Sequence, residues 1–153
     1  MEGQQVGPEV RKILAAFDGS EPAARAFILA EDLAKKYRAQ LVVVTAVESP
    51  VPYLLPQVPP VDISAARESA TSKARTGVEE LMRRAKADGV DARAVVLDKG
   101  GSAVERLVEY AEREGVDLIV VGTRGLGAMP KALLGSVSSG LVSHARCHVL
   151  VVR

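Results

Sequence analysis

The chain has 153 residues, with 20 basic and 19 acidic side chains, a formal charge of +1, 48% hydrophobic residues and only 3% aromatic ones. That length suits one domain, 1–153, burying roughly two thirds of its unfolded surface in a core of Ala, Val, Leu and Ile. Balanced charge and scarce rings argue against a dedicated nucleic-acid or membrane-surface binder, which needs a basic excess or aromatic platforms for bases.

The first apolar run, Val10 to Phe17, stops at Asp18-Gly19-Ser20. Ser20 is placed to cap a helix whose first turn holds Glu21 and Pro22, where a missing N–H does no harm. Ala23, Phe27, Ala30, Ala34 and Tyr37 then recur at helical spacing. Ala39 to Val47 is rich in valine and predicts a buried strand. Ser49 to Asp62 carries five prolines and reads as an irregular surface excursion. Ile63 to Asp88 predicts a long helix with Ala66, Ala70, Ala74, Val78, Leu81 and Ala85 on one face, closed by Gly89.

Asp91 to Asp98 is the third expected strand. Ser102 and Glu105 form the signature of a capping box, and Gly115 ends the helix that follows. Val116 to Gly122 is a fourth strand, nearly all apolar, as expected where both faces of a sheet are covered. A last helix is expected from Ser136 to Ala145, and a last strand from His148 to Arg153. The order is β-α-β-α-β-α-β-α-β. Strands alternating with helices imply right-handed crossovers and an α/β fold: an open parallel five-stranded sheet, order 3-2-1-4-5, with helices on both faces.

In that order the chain reverses between strands 1 and 4, and ligands of such sheets bind outside the strand ends at the reversal. Asp18 leaves strand 1 there and Val121-Gly122 leave strand 4. The stretch Val121 to Gly140 contains Gly122, Gly125, Gly127, Gly135 and Gly140, with Ser136, Ser138 and Ser139 near its end. Gly122 and Gly125 let the backbone approach a ligand without a Cβ in the way. Gly135, Ser136, Val137 and Ser138 open the last helix, whose free N–H groups and dipole favour an anion, with two serine hydroxyls in reach. Ser136 or Ser138 taken alone also reads as an ordinary cap, and Gly135 as a turn residue.

Asp18 reads either as a ligand of the crevice or as a turn former before Gly19. Arg124 and Lys131 read as solvated loop charges or as phosphate ligands. The Walker pattern G-x-x-x-x-G-K-[ST] is absent. Neither a Ser-His-Asp nor a Cys-His arrangement is apparent, and His144, Cys147 and His148 read as structural. The single cysteine supports no disulfide framework. No charged-then-apolar leader opens the chain, and no apolar run approaches the ~20 residues of a membrane span, so a soluble, cytoplasmic protein is expected.

The spacing Gly122-x2-Gly125-x9-Gly135-Ser136, with "DLIVVGTRG" before it and "GSVSSGLVSHARCHVLVVR" after it, resembles the signature of the universal stress protein family, in its ATP-binding branch. The opening "KILAAFDGSEPAARAFILAEDLAKKYRAQLVVVTAV" is similar to that family's first βαβ unit. The resemblance spans roughly residues 10 to 153 and implies an adenine nucleotide alpha hydrolase-like sheet that binds ATP, ADP or AMP, with Mg²⁺ or Mn²⁺. Carried over by position, it implies that Asp18 lies near ribose or a phosphate-bound metal. Ala16, where many members have proline, and Ala46 would flank adenine. Val121, Gly122 and Gly125 would line ribose and phosphate, and Gly135, Ser136, Val137 and Ser138 would grip phosphate. His148 also departs from the usual pattern, which has proline after the cysteine.

The expected role is a nucleotide-responsive stress regulator, with no catalytic residue and no dedicated metal site, acting on an unknown protein partner. A slow metal-dependent ATPase using Asp18, and a dimerisation module that no longer binds nucleotide, are the competing readings. The edge strand 148–153, guarded only by Arg153, predicts an isologous homodimer, a geometry also seen in the family that the chain resembles.

Overall fold

A computed structural model describes residues 9–47, 63–124 and 134–153. The proline-rich stretch, Gly125, Gly127 and Lys131 therefore lie outside the described residues. Five strands alternate with four helices: β1 (Lys12–Ala16), α1 (Glu21–Tyr37), β2 (Gln40–Ala46), α2 (Ile63–Ala87), β3 (Ala92–Leu97), α3 (Ala103–Glu114), β4 (Leu118–Gly122), α4 (Ser136–His144) and β5 (His148–Val152). The sheet runs β3-β2-β1-β4-β5, as the alternation predicts. All four pairings are parallel, with Ala16 opposite Val44, Ala15 opposite Val120 and Ala46 opposite Leu97.

Strand alternation divides the apolar residues between two faces. Ile13, Ala15, Leu41, Val43 and Val120 pack with Phe27, Ala30 and Ala34 of α1 and Val78 and Ala85 of α2. Leu14, Val42, Val44, Ile119 and Val121 face the other way, against Leu107, Tyr110 and Ala111 of α3 and Leu141 of α4. With so few aromatics the layers close on small side chains. A Cβ on Gly140 of α4 would lie 2.6 Å from Cγ2 of Val104 in α3.

Local signals place the helix ends. Ser20 accepts the Ala23 N–H at 3.3 Å, and Ser102 with Glu105 makes a reciprocal capping box. Gly115 ends α3 at φ 65°, and Gly89 turns the chain after α2 at φ 81°. α1 ends without a glycine: Arg38 takes φ 54° and gives its N–H to Ala34 and Lys35.

The expected fourth strand is two residues shorter at its start. Asp117 there turns its carboxylate onto the N–H groups of Arg11 and Lys12, both at 2.9 Å, covering the otherwise open beginning of β1.

β1 and β4 are neighbours, but the chain leaves β1 for α1 on one face and β4 for α4 on the other. A crevice opens where the two exits part.

Candidate functional site

The β1 exit is held by short-range hydrogen bonds. The Asp18 carboxylate accepts the Ser20 N–H at 2.9 Å, across Gly19 at φ 87°. Asp18 thus takes the turn-forming part foreseen as one of its two readings, while still lining the crevice. The Ser20 hydroxyl, besides capping α1, donates to the Arg124 carbonyl at 3.5 Å and links the β1 exit to the β4 exit.

The β2 exit forms the second wall. Phe17 donates its N–H to Val44 O at 2.9 Å, and Ala16 opposite Val44 is the last β1–β2 pair. Residues two apart on a strand point their main-chain groups to the same side. Ala46 therefore turns its N–H and C=O toward the position where β1 has already veered off. This strip of backbone offers a donor and an acceptor to the edge of a flat ligand. Ala16, 8% exposed, lies beside it on β1.

The β4 exit and the start of α4 make the third wall. Val121 turns its side chain into the core against α3 and α4. Gly122 has a packing reason to be glycine besides the ligand approach expected of it: a Cβ there would lie 2.7 Å from the Pro22 carbonyl carbon and 2.9 Å from the Ala23 nitrogen. The absent side chain lets β4 pass under the first turn of α1. Thr123, 7% exposed, follows, and its carbonyl accepts from both the Gly135 N–H and the Ser138 hydroxyl.

That bond revises the expectation of two reachable serine hydroxyls. Ser138, 1% exposed, spends its hydroxyl on Thr123 O at 2.9 Å and Gly135 O at 3.1 Å. What remains for a ligand at this position is main chain. Val137 likewise packs its side chain on the core, whereas Ser136 is exposed. Gly135 stands at the N-cap and supplies no side-chain hydrogen bond, unlike Ser20 on α1 and Ser102 on α3. The first N–H groups of α4 thus meet the crevice without a side-chain acceptor, with the positive end of the helix dipole behind them.

Together these exits enclose about 710 Å³, within the range of small-molecule sites. Ala16, Asp18, Ala46, Val121, Gly122, Gly135, Ser136, Val137 and Ser138 all line it, so the expected site residues that fall among the described residues are brought together. The helix α2 contributes as well, which the sequence did not lead us to expect. Ala70, Lys73, Ala74 and Gly77 line the same space, with the Phe17 ring at ordinary packing distance, 3.5 Å from where a Cβ on Gly77 would stand. The signal was present: small residues at helical spacing leave room that a core-filling stripe would not.

Lys73 and Arg124 face the crevice with Asp18 as the one carboxylate among the described lining residues, so the charge balance favours an anion. No group of three or more His, Cys, Asp or Glu among the described residues is placed to hold a metal ion.

A profile of the universal stress protein family matches residues 9–153. A universal stress protein homologue from Staphylococcus haemolyticus is 36% identical over 143 residues, covering 94% of this chain and 84% of its own. The structure is similar to the universal stress protein UspA from Lactobacillus plantarum, with a TM-score of 0.84 and 25% identity over 96% of this chain and all of the other. It is also similar to a universal stress protein crystallised in complex with cAMP, with a TM-score of 0.66 and 28% identity over 95% and 98% of the two chains.

Proposed function

The chain belongs to the universal stress protein family, and we propose that it is a regulator that binds an adenine nucleotide in the crevice between the β1 and β4 exits. The observation that carries this reading is the start of α4. Its N–H groups lack a side-chain cap and open onto a space lined by Lys73 and Arg124. A phosphate supplies the missing acceptor and the negative charge in one group. At the other end the strip of main chain at Ala46 offers a donor and an acceptor to the edge of adenine. A relative 28% identical was crystallised with cAMP, which supports the adenine nucleotide as ligand class.

Each site residue takes a part in this reading. Ala16 and Ala46 flank the base, and Val121 and Gly122 lie under the ribose. Ser136, Val137 and Ser138 hold phosphate through their N–H groups, with the Ser136 hydroxyl beside them, and Gly135, whose own N–H goes to Thr123 O, brings the chain past without a side chain; Gly125 lies outside the described residues. ATP is the proposed ligand, with AMP and ADP as the alternatives that share its base and α-phosphate. Asp18, the one carboxylate among the described lining residues, would help to hold Mg²⁺ or Mn²⁺, which would neutralise phosphate charge.

Binding without rapid turnover is the expected behaviour. Asp18 is tied to Ser20 and no histidine lines the described crevice, so the described residues supply no positioned base for an attacking water. The role proposed for the whole chain, 1–153, is a cytoplasmic stress regulator acting as a single domain. Nucleotide-dependent conformation would govern its binding to a protein partner. No described helix is long and apolar enough to cross a membrane.

Isothermal titration with ATP tests the site. The wild-type chain is expected to bind, and Gly135→Val, whose side chain intrudes on the phosphate position, to lose binding while keeping its circular dichroism spectrum. Unchanged affinity in that variant would put the nucleotide elsewhere.

A further inference from the structure

Arg106 is a charge on the buried stripe of α3, among Ala103, Leu107, Tyr110 and Ala111. It is 6% exposed and enters into none of the ion pairs among the described residues. Burying a guanidinium is costly, and an apolar side chain at this position of the stripe would avoid that cost. Its hydrogen bonds point to its use. Nη1 donates to Val47 O at 2.8 Å and to Leu97 O at 2.6 Å, and Nε donates to Ser102 O at 3.4 Å. Gly100, at φ 106°, folds the loop after β3 over the stem, with the place of its Cβ 3.4 Å from Arg106 Cγ.

The two carbonyls belong to one peptide arrangement. Val47 gives its N–H to Leu97 O at 2.8 Å. In a planar trans peptide the preceding carbonyl points the opposite way. The bond that draws the Val47 N–H toward β3 therefore turns the Ala46 carbonyl into the crevice. Arg106 grips both the acceptor of that bond and the carbonyl on the far side of Val47. Its neighbours Ala103 and Leu107, with Val47 itself, line the crevice.

We infer that Arg106 is a positioning residue for base recognition: by clamping Val47 O and Leu97 O it holds the Ala46 main chain in the orientation that reads a purine edge. This rests on the nucleotide reading above. A residue that reads the base through another must affect choice of base more than grip on phosphate.

The test compares ATP, GTP and inorganic tripolyphosphate by titration on wild type, Arg106→Met and Arg106→Lys. In the methionine variant the preference for ATP over GTP is expected to fall about tenfold while tripolyphosphate affinity changes less than about twofold. Lysine, which can still reach one carbonyl, is expected to restore part of the preference. It also serves if the methionine variant fails to fold, with hydrogen exchange at the Val47 amide faster than in wild type. An unchanged ATP-to-GTP ratio in a folded variant with a lowered Tm would make Arg106 a structural clamp only and overturn the inference. Wild type that binds neither nucleotide nor tripolyphosphate would overturn the nucleotide reading itself, and this inference with it.

Discussion

Two serines two residues apart at the start of α4 have opposite duties. Ser138 is sealed in and fastens Thr123 and Gly135 together, whereas Ser136 is exposed at the first helical position. Ser138→Ala is expected to lower stability by about 1 kcal/mol, the usual loss for a buried neutral hydrogen bond, measured by urea unfolding. Ser136→Asp should leave stability intact, because a carboxylate suits a helix N-terminus. The same carboxylate competes with phosphate, so ATP affinity is expected to fall about tenfold. Glu31 poses a separate question of charge. It is 4% exposed, with Arg84 Nε 3.6 Å away. Burial first, and then the Asp88 carboxyl, push its pKa up, while Arg84 and Lys35 oppose the rise. A raised pKa in the fold means that the protonated form stabilises. Its contribution is complete below the unfolded value and fades as pH climbs through the folded one. Glu31→Gln is therefore expected to be more stable than wild type near neutral pH. Urea midpoints should show that advantage narrowing as the pH falls toward about 4.5; a constant gap would contradict the raised pKa.

Pairs of elements meet at positions where only small residues fit. β4 slides under α1 because Gly122 has no side chain, and the obstacle to a larger one is the backbone of Pro22 and Ala23, which cannot swing aside. Gly122→Ala is expected to cost about 1–3 kcal/mol, the range for overpacking, read from urea unfolding. It should also weaken nucleotide binding, since the displaced turn carries Ser20 and its link to Arg124. The reason for this glycine was not legible in the sequence, where ligand approach and helix packing predict the same residue. Element identity was legible throughout, because alternation of valine-rich runs with 3.6-period stripes is a local signal, as are the Ser102–Glu105 box and Gly115. Lys73 and Arg106 escaped notice for a common reason. Each lies on a helix whose stripe reads as core, and only the sheet order brings that stripe to the end of β1 and β2. Ser138 escaped for the converse reason: its acceptor, Thr123, lies across a loop that no periodicity spans.

Across the whole molecule, the reversal of strand order gathers distant segments into one crevice: residues 16–19, 44–47, 70–77, 103–107, 121–124 and 135–138 all contribute. The far edge of the same sheet is β5, which pairs with β4 on one side only. We propose that 148–153 pairs with its counterpart in a second copy, so sedimentation at tens of micromolar should give a dimer, and a monomer would defeat that assembly. The central claim concerns the crevice. It is tested most directly by ¹⁵N-resolved NMR of the wild-type chain titrated with ATP. Saturable shifts are expected first at the amides of Ser136, Val137 and Ser138, with Ala46 and Val47 moving in step as the base docks. Amides at the start of α4 that stay still while ATP perturbs another surface, or a spectrum that ATP leaves unchanged, would contradict the account.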